Sequence, residues 1–336
     1  MRSLSVLYQS DNNYAVLTGV SILSLFKNNT HLDRIRVYYL DDNILPENKE
    51  KILEIAKEYN REVIFLETQS ILKRLKEMNV VPYKNTYTTY FKLLAIDSLE
   101  IEEDRILQLD GDTIINEPLD ELIDYDLEGV VCAATYDCIM NRYKSLIDIP
   151  LTDKYYNCGV LLINKKMWKE YECEKKILDH VLHKRNRYQI VDQDIINVLF
   201  RDKIKYLHCK YNLNSGFYIY GIEQSFKMYD LDASIFSTKE QVEEAMAKPY
   251  INHCMGSFTG RPWHEHNIHP QSDLYDLYYA QSPWKNQKKM SYTLSTTNKL
   301  QKFMYLYFPR PVFCFIYKIM KQKRYEKVNN EIQKEA

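Results

Sequence analysis

Seven cysteines are scattered along the 336-residue sequence and none stands in C-x-x-C spacing. An odd, dispersed set argues against both a disulfide framework and a zinc site, so reduced and mostly buried thiols are expected. No apolar run approaches the roughly 20 residues that a spanning helix needs. The amino terminus enters an apolar strand at Leu4–Tyr8 without a basic n-region or a long apolar h-region, so no signal peptide is expected and the reading is a cytoplasmic protein. Neither G-x-x-x-x-G-K-[ST] nor G-x-G-x-x-G occurs, which removes the main support for P-loop and dinucleotide sites.

What is present suits a globular chain with a sizeable core: 45% of residues are hydrophobic and 27% charged. The formal net charge of −1 hides an asymmetry, because residues 285–336 hold 12 Lys/Arg against 3 Asp/Glu. A basic tail follows an acidic body. Apolar spacing predicts strand Leu4–Tyr8, helix Ala15–Phe26, strand Ile35–Leu40, helix Glu47–Tyr59 and strand Glu62–Leu66. A helix over Thr88–Ser98 then leads to strand Ile106–Leu109, with further apolar runs at Gly129–Ala134 and Gly159–Ile163. This alternation predicts an α/β fold with a mostly parallel sheet flanked by helices, whose ligands bind at the carboxyl ends of strands.

Two polar segments fall at such ends. Asp110-Gly111-Asp112 interrupts an apolar run and aims two hard oxygen ligands at one point, as a divalent cation holding a diphosphate requires; the simpler reading is a polar turn that caps the next element. Ser10-Asp11-Asn12-Asn13-Tyr14 follows the first strand, where short polar groups could meet a nucleoside and Tyr14 could stack on its base, or where they simply cap a helix. Asn157-Cys158-Gly159 places an amide before an apolar strand, and Asp192-Gln193-Asp194 opens a helix whose dipole acidic residues would complement. His253, followed by Gly256, Gly260 and Arg261, could close a metal site and cover a diphosphate.

In this order the segments resemble glycosyltransferase family 8, a retaining family with the Rossmann-like GT-A fold that includes bacterial lipopolysaccharide galactosyl- and glucosyltransferases and the glycogenins. The matches are S-D-x-N-Y at Ser10–Tyr14, Y-x-[RK]-L at Tyr90–Leu93, L-D-x-D at Leu109–Asp112, the segment around Asn157, D-Q-D at Asp192–Asp194, and H-x-x-G followed by [KR]-P-W. They span Leu4 to about Trp284, so the resemblance implies a GT-A catalytic domain over 1–285 and a basic, aromatic extension over 286–336. It implies Asp110, Asp112 and His253 as ligands of Mn²⁺ or Mg²⁺. Asp11, Asn13 and Tyr14, with Ser10, would hold the uridine. Asn157, Cys158 and Gln193 would line the transferred sugar, Asp137 and Asp192 would bind its hydroxyls, and Lys92, Gly111, Gly256 and Arg261 would face the diphosphate or donor sugar. The family usually has Arg at the position of Lys92, and its H-x-x-G-x-x-K-P-W is stretched here by two residues, which puts Arg261 at the cation position.

The implied activity is metal-dependent transfer of galactose or glucose from a UDP-hexose donor to a glycan or glycolipid acceptor, such as lipopolysaccharide or another cell-surface polysaccharide. A sugar-nucleotide-binding protein without catalysis and a metal-dependent nucleotidyltransferase are the alternatives. No nucleic acid is among the expected partners. In the tail, Pro311–Met320 followed by Lys321, Lys323 and Arg324 reads as an amphipathic helix on an anionic membrane surface, inserting Phe313, Ile316 and Ile319, or as a helix packed on the catalytic domain.

Overall fold

The structure, a computed structural model, describes residues 2–83, 85–183 and 188–335. Ten strands are found among the described residues: β1 Ser3–Asp11, β2 Arg34–Asp42, β3 Glu62–Glu67, β4 Arg105–Leu109, β5 Thr113–Ile115, β6 Cys132–Tyr136, β7 Tyr156–Asn164, β8 Ile204–Tyr206, β9 Leu213–Asn214 and β10 Ile251–His253. Seven form one sheet in the order β3-β2-β1-β4-β7-β6-β8. All neighbours in it pair in parallel except β7, which runs antiparallel to β4 and β6. Three short strands form a second sheet, β5-β10-β9.

Strand alternation sorts the core into two layers. Leu4, Val6 and Tyr8 of β1, Val37 and Tyr39 of β2, and Leu107 and Leu109 of β4 face one layer. Leu7, Tyr38, Leu40 and Ile106 face the other. Because the sheet is covered on both faces, its strands read as nearly continuous apolar runs. The helix Ala15–Asn28 lies in the first layer and is buried at Ala15 and at every residue from Leu17 to Phe26. Trp284 packs in the same layer and donates from its indole nitrogen to Asn48 Oδ1 at 2.9 Å.

A third cluster lies under the carboxyl-terminal helices, Thr296–Tyr307 and Arg310–Glu335. Phe313 is 0% exposed and packs with Phe258, Tyr220 and Tyr317. A fully buried Phe contributes about 1.5–3 kcal/mol. The extension is therefore helical, as expected, but Phe313 faces the body and cannot insert elsewhere. Its neighbours Val312, Phe315 and Ile319 remain exposed.

The chain builds β1, β2 and β3 outward from β1 and then returns to lay β4 on the other side of β1. That reversal is a topological switch point, where the loops after β1 and β4 diverge and leave a crevice.

Candidate active site

The crevice at the ends of β1 and β4 is a cleft of about 350 Å³ lined by Gln9, Ser10, Asp11, Tyr14, Tyr83, Thr86, Thr88, Thr89, Lys92, Asp110, Gly111, Asp112, Asp192 and Arg261. Asp110 leaves β4 and its backbone N–H donates to the Gly159 carbonyl at 2.8 Å. Gly111 is the residue that allows this turn, since a Cβ there would sit 2.1 Å from Thr18 Oγ1. Asp112 leads into β5, and the antiparallel register of β5 with β10 sets Thr113 opposite His253. The Cys254 N–H donates to the Asp112 carbonyl at 2.8 Å, which ties the two segments together beside the site.

Asp110, Asp112 and His253 each offer a ligand atom, and these atoms lie within 4.8 Å of one another. His253 Nε2 is 3.1 Å from Asp112 Oδ1, and Arg261 Nη1 is 3.1 Å from Asp112 Oδ2. Burial pushes the Asp112 carboxyl up, but His253 and Arg261 outweigh it and hold it at about 2. Burial likewise opposes a charged His253, yet Asp112, Asp110 and Asp137 raise its pKa. Two carboxylates and one imidazole form a hard-to-borderline donor set, and the residues fit a divalent cation such as Mn²⁺ or Mg²⁺.

Lys92 enters from the helix Thr88–Leu94 and is 2% exposed. Its ammonium donates to Asp110 Oδ1 at 2.8 Å and to the Cys158 carbonyl at 3.2 Å, and sits 2.7 Å from Asp192 Oδ2. Burial disfavours that charge, but Asp110 and Asp192 overcome it and raise the pKa. Lys92 lines the cleft, with its three donors matched to three protein acceptors.

A second group lies beyond Lys92. Gln193 Nε2 donates to Asp137 Oδ2 at 2.8 Å and to the Tyr155 hydroxyl at 3.2 Å, while Gln193 Oε1 accepts from the Cys158 N–H. Asp137 Oδ1 accepts from the Cys138 N–H and from Asn214 Nδ2. Asn157 Oδ1 accepts from the Gly159 N–H and from Asn212 Nδ2. Cys158 is buried, burial pushes its thiol well up, and only its backbone reaches these groups. All seven cysteines are buried and unpaired.

The structure thus brings together Ser10, Asp11, Tyr14, Lys92, Asp110, Gly111, Asp112, Asp192 and Arg261 around one cleft, with His253 against Asp112. Asn13 does not line it; its side chain donates to Asp11 Oδ2. Gly256 stands outside too, in a turn that packs on the Gly260 carbonyl. Sequence reasoning missed the hydroxyl wall of Tyr83, Thr86, Thr88 and Thr89, whose only signal is a run of Thr and Tyr before Tyr90. It also missed Asn212, at the end of the turn before β9, and Asn214 within β9.

The sequence matches the family described as glycosyl transferase family 8 over residues 5–267. Lipopolysaccharide 1,2-glucosyltransferase of Escherichia coli (strain K12) is 28% identical over 288 residues, spanning 84% of this chain and 79% of the relative. General stress protein A of Bacillus subtilis (strain 168) is 25% identical, spanning 82% of this chain and 92% of the relative. Among solved structures, the galactosyltransferase LgtC in complex with donor and acceptor sugar analogues aligns with a TM-score of 0.66 at 21% identity, covering 84% of this chain and 99% of that one. This last likeness concerns the fold.

Proposed function

The chain belongs to glycosyl transferase family 8, and on that premise we propose that it moves galactose or glucose from a UDP-hexose to a glycan or glycolipid acceptor, with retention of configuration. Lipopolysaccharide or another cell-surface polysaccharide is the proposed acceptor class, in keeping with the names of its relatives. The observation that carries the reading is the convergence of Asp110, Asp112 and His253 at the rim of a cleft that also holds Lys92 and Arg261. That arrangement suits a diphosphate: acidic ligands for a cation and fixed positive charges share one small volume.

In this reading Asp110, Asp112 and His253 hold Mn²⁺ or Mg²⁺. When bound, the metal would neutralise charge on the departing UDP. Ser10, Asp11 and Tyr14 hold the nucleoside, and Arg261, whose Nη1 lies 3.3 Å from the Tyr14 hydroxyl, covers the diphosphate beside it. Asn13 acts through Asp11, and Gly256 through the turn that presents Arg261. Asn157, Asp137, Asp192 and Gln193 face the sugar. Gln193 is an amide whose oxygen already accepts the Cys158 N–H, so it orients the sugar rather than attacking it. Attack by the acceptor on the face of the departing phosphate then fits retention better than a glycosyl-enzyme does.

The third element of the proposal is an anionic membrane surface near the acceptor. No helix among the described residues is long and apolar enough to cross a membrane, but the carboxyl-terminal helices expose Phe303, Tyr307, Phe308 and Phe315 beside Lys299, Lys302 and Arg310.

The deciding experiment incubates the protein with Mn²⁺ and UDP-Gal, UDP-Glc or UDP-GlcNAc. UDP release from one donor, abolished by EDTA and by Asp112→Asn with an unchanged circular dichroism spectrum, is expected. Release of sugar 1-phosphate would instead indicate nucleotidyl transfer, and binding without turnover a sensor.

A further inference from the structure

Hydrogen-bond logic runs from the backbone to the metal-facing histidine without a free choice. The Gly159 N–H can only donate, and it lies 2.8 Å from Asn157 Oδ1, which fixes the orientation of that amide. Asn212 approaches the same oxygen at 2.7 Å, where only its Nδ2 can serve. Asn212 Oδ1 is then the atom 3.0 Å from His253 Nδ1. An amide oxygen cannot donate, so Nδ1 must carry the proton. In the neutral ring this leaves a bare lone pair on Nε2, the nitrogen 3.1 Å from Asp112 Oδ1. Two acceptors at that separation repel unless a proton or a cation stands between them.

We infer that Asn212 is a positioning residue that, oriented by Asn157, holds His253 as its Nδ1–H tautomer and so presents Nε2 as a metal donor. The inference rests on the metal reading above. Asn157 and Asn212 are each 4% exposed, so water does not compete for these bonds. The ring plane is held as well: a Cβ at Gly159 would lie 2.2 Å from His253 Cε1, so only glycine lets the imidazole rest there. An outer group that accepts the second ring N–H of a ligating histidine fixes the tautomer and raises the basicity of the ligating nitrogen, and its loss costs roughly 10- to 100-fold in metal affinity. A purely structural pair of amides would satisfy its own bonds without selecting the protonated nitrogen, so the tautomer separates the two roles.

The test uses the full chain with two readouts. The first is the ¹⁵N shift pattern of His253 in metal-free protein at alkaline pH, assigned by comparison with His253→Ala. The second is Mn²⁺ affinity, followed by electron paramagnetic resonance. The wild type is expected to show Nδ1 protonated. Asn212→Leu should give mixed tautomers and roughly 10- to 100-fold weaker Mn²⁺ binding. Asn212→Asp, which keeps an acceptor against Nδ1 though it loses the donor to Asn157 Oδ1, should keep the tautomer. If Asn212→Leu does not fold, Asn212→Ser, whose hydroxyl is too short to reach the ring, takes its place. Unchanged tautomer and unchanged Mn²⁺ affinity in the variant would overturn the inference. A wild type that binds no Mn²⁺ would overturn the metal reading instead, while the metal-free spectra still decide whether Asn212 sets the tautomer.

Discussion

Without the Lys92 ammonium, Asp110 and Asp192, whose side chains are 29% and 16% exposed on the cleft wall, would face each other with no cation between them. Breaking a fully buried ion pair on one side costs about 3–5 kcal/mol, and the partial exposure of both carboxylates makes the loss here smaller. Lys92→Met should therefore lower the urea midpoint of the metal-free protein as well as kcat/KM for the UDP-sugar. Lys92→Arg should recover part of both, since it restores charge but must fit a planar fork where three point donors sat. A variant with normal stability and normal kinetics would show that the ammonium is solvated and idle. At this scale the sequence was informative about residue types and poor on partners. The acidic pair, the histidine and both cations are recognisable by spacing and resemblance. That Lys92 binds carboxylates rather than standing open to a ligand depends on Asp192, a hundred residues away. No local pattern reports such a contact.

The helix Val191–Phe200 shows why a motif must be read through its element. Successive helical residues turn by about 100°, so Asp192 and Asp194 point to opposite sides. Asp192 reaches Lys92 in the cleft, whereas Asp194 is 0% exposed and accepts from the Tyr143 and Tyr155 hydroxyls, each at 2.5 Å. Burial lifts the Asp194 carboxyl to about 7 against those hydrogen bonds, which lower it. An unfolded aspartate titrates near pH 4 (about 3.9). The folded state thus holds a proton that the unfolded chain has released, and its contribution is fully present below about pH 4 and lost as pH rises to about 7. Asp194→Asn stays neutral throughout, so the stability difference between wild type and variant should move against the wild type by a few kcal/mol across that window and then level off. Urea titrations at pH 4, 5.5, 7 and 8 measure it; a difference independent of pH would mean that Asp194 is ionised in the folded protein. Glu174, which burial also lifts to about 7, is common to both proteins and cancels. Element by element, the long strands and the buried helix Ala15–Asn28 were legible because apolar runs of that length have few alternatives. The small sheet was not: β5, β9 and β10 have two or three residues each, too few to show a period, and only their tertiary pairing defines them.

Across the whole molecule, charge and apolar surface are divided between the body and the carboxyl-terminal helices. The tail's basic surplus was plain in the sequence, but which ring faces inward was not, because Val312, Phe313 and Phe315 are equally apolar and only the partner surface selects among them. Phe313, Cys314 and Tyr317 close the third core cluster over Phe258 and Tyr220. Elsewhere the two helices expose Phe303 at 54%, Tyr307 at 71% and Phe315 at 67%. Exposed rings on helices that also carry lysines and arginines would suit an anionic bilayer, where each cation near the surface contributes about 1 kcal/mol and each inserted ring adds apolar burial. Removing the helices outright is a poor test, since deletion would uncover Phe258 and Tyr220 and the body should lose stability or aggregate. Substitution on the outer face isolates the question. Phe303→Glu combined with Phe315→Glu should leave the thermal midpoint and the hydrolysis of soluble UDP-sugar close to wild type, yet abolish salt-sensitive sedimentation with phosphatidylglycerol vesicles. Phe313→Ala should do the reverse, costing about 3–5 kcal/mol through the cavity it leaves while the folded fraction still binds vesicles. If the outer double variant sediments as the wild type does, these rings do not meet the membrane and the basic surplus serves another purpose.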